Sequence, residues 1–400
     1  MFGGRMRCNV SNNGTITAWY GDENYREDGS NGQVMVYQPK FYYARVPLKT
    51  IDNVIGKIVY KESLILSATR AAGLKIHPLF INADGEEVDY VLLSAYEGSI
   101  YDSVNSRQIT DDSAVDITYA KLSSVANVKP ASGKNITLTT ATAEQLARNR
   151  GEGWHISNMR SESASQMLMM TEFGSPNGQV SMNELGVCNV SVNTNYNCSA
   201  YTGSTSALGN ATGHADSTIR EMNGTTTIGT TNGYRAISYR GVENPWGNLW
   251  RYLGDTYITG NGNQGAGVAM VCRNYNYDDA TAYDSVGFSL PPATGSFTSA
   301  LGYGNETYDW VLMPAQANGS SNSAVPIGDG LWATSGLDYQ ACCAIGGLAN
   351  AAEKAGMYYY ACDRKPDLST SSYGARLIYI PKLNNIYTSN YQAWRAKWGN

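Results

Sequence analysis

The chain has 400 residues, 42% of them hydrophobic and 16% charged, and its net charge of −5 comes without any Lys/Arg cluster, which excludes the electrostatic footprint of a duplex nucleic-acid binder. No window approaches the ~20 apolar residues of a membrane span, and the start, MFGGRMRCNVSNNG, lacks the apolar stretch of a signal peptide, so the expectation is a chain made and folded in a cytosol. Forty-two Gly imply many turns, and 29 Tyr with 8 Trp against 6 Phe favour aromatics that carry a polar handle, as a binding surface does.

In chain order, residues 1–30 are polar and turn-rich without periodicity, and read as an attachment or linker segment. From Gln33 the run QVMVYQPKFYYARVPL, then KIVYKESLIL, then the alternation of Val88, Tyr90 and Leu92 after an Asp84-Gly85 turn, predict three or four short strands. TTATAEQLARNRG, near Thr140, carries helix start and stop signals. A second helix is expected from about Ser161 to Phe173, with Ala164, Met167, Leu168 and Thr171 on one stripe and Gly174 as its C-cap. Met167, Met169 and Met170 read as core filling.

The stretch from Gly186 to about Arg240 is rich in Asn, Thr, Ser and Gly, too long for an ordinary loop, and reads as a functional surface or mobile insertion. Its N-x-S/T triplets at Asn189, Asn197, Asn210 and Asn223 read as compositional accidents. Trp246, Trp250 and Tyr252 around Pro245-Trp246-Gly247-Asn248 predict a compact core element in which Gly247 permits a positive φ or a close backbone approach. A further strand-and-loop region is expected over residues 268–290 and 308–313, and SNYQAWRAKWGN closes the chain.

Trp332 to Leu377 is the block that argues for function. A Gly-punctuated aromatic frame alternates there with residues of unrelated chemistry, as on a recognition surface held by a rigid scaffold. A pair of core strands with a polar connection is the alternative. If Tyr358 and Tyr360 face the core, strand alternation turns Tyr359 the other way.

Catalytic chemistry finds little support. Cysteines 8, 188, 198, 272, 342, 343 and 362 are odd in number and form no C-x-x-C pair, so they read as buried thiols. His77, His155 and His214 stand alone, which argues against a triad or a metal site. No acidic run follows the EF-hand spacing; no metal ligand is assigned and no cofactor is expected, while a structural calcium stays open.

Two segments carry a resemblance. SYRGVENPWGNLWRYLGD, residues 238–255, resembles the Trp-Gly-Asn signature of C-type-lectin-like domains of the formylglycine-generating-enzyme branch. GMYYYACDRKPDLSTSSYGARL, residues 356–377, is similar to the variable region of proteins diversified by diversity-generating retroelements. Further likeness to phage tail and adhesin proteins lies in residues 146–175 and in MVYQPKFYY, IHPLF and AYEGSIYD. The likeness covers most of residues 33–380. It departs at Leu348, where relatives tend to carry an aromatic, and at CDRKPDLST, which replaces an Asn-rich run.

What the resemblance implies is an α+β C-type-lectin-like fold with short antiparallel strands, two helices and long loop insertions. Three parts would follow: a 1–30 attachment segment, a 31–382 domain with its variable region at about 332–377, and a 383–400 tail. The frame would be Trp246, Gly247, Asn248, Trp250, Trp332, Gly346, Gly347, Gly356, Met357, Tyr358, Tyr360, Gly374, Ala375 and Arg376. The ligand-facing set would be Asp338, Tyr339, Ala341, Leu348, Ala349, Tyr359, Ala361, Asp363, Arg364, Asp367, Leu368 and Thr370, with Tyr339, Tyr359, Asp363 and Arg364 on one exposed face. The implied function is non-enzymatic recognition of a bacterial cell-surface protein or glycan by a phage tail-tip or tail-fibre protein. It would sit in the virion tail, joined to other tail proteins through its N-terminal segment and assembled as a homo-oligomer, a trimer by expectation. The alternatives are a bacterial adhesin, a structural tail or collar protein, and an oxidase-like enzyme using Cys342-Cys343, whose adjacency suits such a site poorly.

Overall fold

The computed structural model describes residues 4–382 except 111–112, 135, 192–198, 223–224 and 260–264. The expected 383–400 tail, Cys198, Asn197 and Asn223 lie outside the described residues.

Both ends of the described chain meet in a six-stranded sheet, in the order Trp154–Ile156, Leu377–Tyr379, Tyr90–Ser94, Gln33–Pro39, Met6–Val10 and Ile16–Trp19. Residues 6–19 are therefore built into the fold and are not a free linker. Cys8 pairs with Trp19 on one side and Met35 on the other, and Arg7, Cys8, Val10, Ile16, Ala18 and Trp19 are all buried. Two strands of five and four residues, split by a polar turn, are too short for periodicity to announce them.

A twelve-stranded sheet holds most of the remaining strands. Its path runs Tyr283–Leu290, Gly267–Cys272, Trp250–Thr259, Ala341–Gly346, Gly356–Arg364, Gly330–Ala333, Ala293–Tyr303, Lys57–Ser67, Tyr42–Asp52 and Lys75–Ile76. Tyr373–Gly374 adds beside Trp250–Thr259 in parallel, and Pro314–Gly319 beside Ala293–Tyr303.

Among the described residues three α-helices accompany the sheets: α1, Thr140–Arg148; α2, Met159–Phe173; and α3, Gly178–Met182. Helix α2 begins two residues before Ser161 because Asn158 caps it, exchanging hydrogen bonds with Ser161, and it ends at Gly174, whose φ of +65° no β-carbon opposes. Gln166 on α2 donates to Met357 O at 2.7 Å and to Tyr360 Oη at 3.1 Å, tying the helix to the large sheet.

The chain is mostly β, 39% strand against 12% helix in several sheets, and this overturns the expected α+β C-type-lectin-like fold with two helices. The sequence hides these strands for a physical reason. Ala341–Gly346 is buried throughout and Trp250–Thr259 nearly so, and a strand covered on both faces shows no alternation. The expected 186–240 insertion likewise contains paired strands: Thr218–Met222 with Thr225–Gly229, and Ile237–Tyr239 between Gly213–His214 and Val242–Glu243.

Candidate functional site

The strand Gly356–Arg364 organises the site. Tyr358 and Tyr360 point into the core, where the Tyr360 hydroxyl donates to Leu312 O at 3.2 Å. Tyr359 turns to the opposite face, its ring centroid 4.5 Å from that of Trp250, and its hydroxyl accepts from Trp332 Nε1 at 2.6 Å. Gly347, at φ +86°, lets the next connection pass over Tyr359, since a β-carbon there would lie 2.8 Å from the Tyr359 ring.

Asp329 fixes where this strand begins. Its Oδ2 accepts from Tyr358 N at 2.7 Å, its Oδ1 has no hydrogen-bond partner among the described residues, and a β-carbon on Gly356 would fall on the carboxyl group. Burial pushes the Asp329 carboxyl well above the usual carboxylate range, so the fold favours its neutral form. The stabilisation from that preference is complete below the unfolded value of about 3.9 and is lost as pH rises towards the folded value. Asp329→Asn, neutral at every pH, is expected to gain on wild type as pH climbs from 4 to 7, read as the difference between their melting temperatures. A difference that stays flat with pH would remove ionisation of Asp329 from the account.

Over Tyr359 lies an open groove of about 540 Å3. Its floor is aromatic, made of Trp250, Trp332, Tyr359 and Tyr373, and Lys354, Asp363 and Arg364 stand along its rim. Trp250 and Tyr373 stack at 6.1 Å, and Tyr252 backs Tyr373 at 5.2 Å. Arg364 is half exposed, with its Nε 3.3 Å from Asp363 Oδ1. The arrangement offers apolar contact, ring faces and edges, and charges of both signs to a ligand.

The chain matches no family model and no curated protein. A solved structure to which it is similar is that of the "Major Tropism Determinant P3c Variant". The two align over 94% of this chain and 71% of that one, at 12% identity and a TM-score of 0.30, a superposition too loose to carry an argument.

Of the expected ligand-facing set, Leu348, Tyr359, Ala361, Asp363, Arg364, Leu368 and Thr370 line this one groove. Asp338 and Asp367 are exposed but outside its lining. Tyr339 is half-buried and braces the rim, donating to Asp363 O at 2.9 Å. Two positions are corrected outright. Ala341 is fully buried within its strand, and Ala349 packs against Val187, Val190, Ala200, Ala215 and Ala236, so neither reaches a ligand. Tyr359 is only 3% exposed, and of Tyr339, Tyr359, Asp363 and Arg364 only Arg364 is exposed, so the four do not form one exposed face.

The frame residues are structural, and Trp250 and Trp332 also line the groove. Gly247, at φ +79°, passes so close to Val187 that a β-carbon would sit 2.6 Å from its carbonyl oxygen. Sequence reasoning missed Lys354, Asn350, Ser372 and Tyr373. Lys354 is the sole basic residue between Trp332 and Arg364, and that isolation is the one signal that singles it out.

The cysteines near the groove are poor nucleophiles. Burial pushes the Cys342 thiol up to about 12 and that of Cys362 well above its ordinary value, and Cys343 Sγ lies 3.4 Å from Cys362 Sγ rather than beside a cation. Burial also holds His77 neutral, its pKa lowered to about 3. Among the described residues no His/Cys/Asp/Glu group is arranged to hold a metal ion.

Proposed function

We propose that the chain is a phage tail receptor-binding protein that takes a bacterial surface ligand, protein or glycan, into the groove over Tyr359 and performs no chemistry on it. The observation that carries this reading is the convergence of seven residues of the expected ligand-facing set on one concave site with an aromatic floor and an exposed Arg364 at its rim. Aromatic and Arg side chains are the usual anchors of interfaces. The sequence likeness of residues 356–377 to the variable region of diversified proteins, and of residues 146–175 to phage tail and adhesin proteins, supports the same reading, and the protonated, buried thiols argue against the oxidase-like one. Display in several copies, as in a trimer, would add avidity to weak single sites.

The test is labelling of a panel of bacterial strains by the purified chain, beside a variant with Lys354→Ala and Arg364→Ala. Both side chains stand at the rim, so the melting temperature is expected to hold. Wild type is expected to label a subset of strains, and the variant to bind them about thirtyfold more weakly, which corresponds to an interface hot spot of about 2 kcal/mol. Equal labelling by the two proteins would move recognition off this groove. Labelling of no strain at all would favour a structural tail or collar protein.

A further inference from the structure

A second site lies in the interior, where α2 meets both sheets. A cavity of about 40 Å3 is lined there by Arg5, Arg251 and Arg376, by Glu162, the one acidic lining residue among those described, and by Ser94. Glu162 is already engaged: its two carboxylate oxygens accept from Arg251 Nε at 3.1 Å and Nη2 at 2.9 Å. The other two guanidinium groups are incompletely satisfied. Arg5 donates from Nε to Gln38 Oε1 at 2.5 Å and from Nη2 to Ser165 Oγ at 2.9 Å, while its Nη1 has no partner among the described residues. Arg376 donates from Nη2 to Glu243 O and to Asn244 O, while its Nε and Nη1 have none. Ser94 Oγ likewise has no hydrogen-bond partner among the described residues. Arg5, Arg376 and Ser94 are 4%, 5% and 2% exposed, so bulk water does not complete them.

Leaving charged N–H groups buried and unpaired costs more than any other kind of unmade hydrogen bond. We propose that Arg5, Arg376 and Ser94 form an interior binding site for a single chloride-sized anion. Three of the four unpartnered atoms are arginine nitrogens that can only donate, which suits an acceptor-only species better than a water molecule that must also donate. Size allows it: a water molecule needs about 10–15 Å3 of such space, so 40 Å3 has room for a monatomic anion. The other carboxyl groups that act on these guanidinium groups do not replace it. Glu97 beside Arg376 is bonded by Asn248 and Asn244, Glu243 accepts from Gly203 N and from Thr205, and Glu172 near Arg5 is paired with Arg240. Burial accordingly lowers the pKa of Arg5, and that of Arg376 to about 10, a shift that an added negative charge would oppose. The anion would bind a residue next to the first described strand to one next to the last.

The experiment uses the unmodified full chain. Its melting temperature is followed as sodium chloride replaces sodium gluconate at constant ionic strength, and crystals are grown in bromide. The expected results are a rise in melting temperature that saturates with chloride, and an anomalous bromide peak against Arg376 Nε and Nη1 and Arg5 Nη1. Ser94→Ala removes a hydroxyl that makes no other hydrogen bond, so the fold is expected to hold while the half-saturating chloride concentration rises roughly tenfold, as for the loss of one hydrogen bond to a charged group. A melting temperature indifferent to the anion, or bromide found only at the surface with water in the cavity, would overturn the assignment.

Discussion

Arg251→Met is expected to lower folding stability by about 3–5 kcal/mol, the range for breaking a buried ion pair by removing one partner. Arg251 and Glu162 are nearly inaccessible, with 6% and 8% of their side-chain surfaces exposed, and their bidentate contact joins the strand Trp250–Thr259 to the first turns of α2. Arg251 Nη2 also donates to Pro245 O at 2.6 Å, so the same side chain holds the turn that carries Trp246. Gly346 makes room for it, since a β-carbon there would approach Arg251 Nη1 to 3.1 Å. With Met at 251, Glu162 is left buried without its bidentate partner, and that residue accounts for most of the loss. The double variant Arg251→Met with Glu162→Gln is therefore expected to recover a large part of it, because removing both partners costs less than stranding one. Urea unfolding at neutral pH measures both, as a fall in midpoint without a change in slope. A loss below about 1 kcal/mol for Arg251→Met would mean that the pair is solvated and does not tie α2 to the sheet.

Local signals in the sequence translate into structure where a single segment decides the outcome. The strand Gln33–Pro39, helix α1 and the Gly174 stop of α2 depend on residues a few positions apart, and they stand where the sequence puts them. The opposite orientations of Tyr358 and Tyr359 follow from strand alternation alone. Fold class fails for the converse reason. A Trp-Gly-Asn turn describes how one tight connection is made, and it carries no information on how many strands assemble around it. The groove is legible only in part because it joins positions 250, 332, 348, 359 and 373, which the sheet alone brings together. Likeness to a variable region selects positions along a strand but does not say which are covered, so Ala341 and Ala349 came in with the set. Tyr373 stayed out because its two-residue strand pairs with distant Trp250.

Asn248 is the residue through which the Trp-Gly-Asn turn acts, and Asn248→Ala is expected to cost about 2–4 kcal/mol, the sum of three lost buried side-chain hydrogen bonds. Its Oδ1 accepts from Ala200 N at 2.6 Å, its Nδ2 donates to Glu97 Oε2 and, at 3.3 Å, to Ala200 O, and its own N donates to Val187 O at 2.7 Å. Alanine keeps only the last of these. It must also take a φ of +60°, which Asn tolerates and Ala resists, so Asn248→Gly is expected to be milder than Asn248→Ala although it removes the same side chain. Asn248→Asp separates geometry from charge. It preserves shape and the bond from Ala200 N but sets a second carboxyl against Glu97, whose own pKa burial already raises. Two carboxyl groups at that distance resist double ionisation, so one of them binds a proton more tightly in the folded chain than in the unfolded one. The stability this contributes is full at low pH and is lost as pH rises, so Asn248→Asp is expected to lie close to wild type near pH 4 and to fall well below it by pH 8. Denaturant midpoints of the three variants at pH 4, 6 and 8 decide the matter. An Asp variant that tracks wild type across that range would mean that Glu97 is not bonded to Asn248, and the turn would then be held through the Ala200 and Val187 bonds.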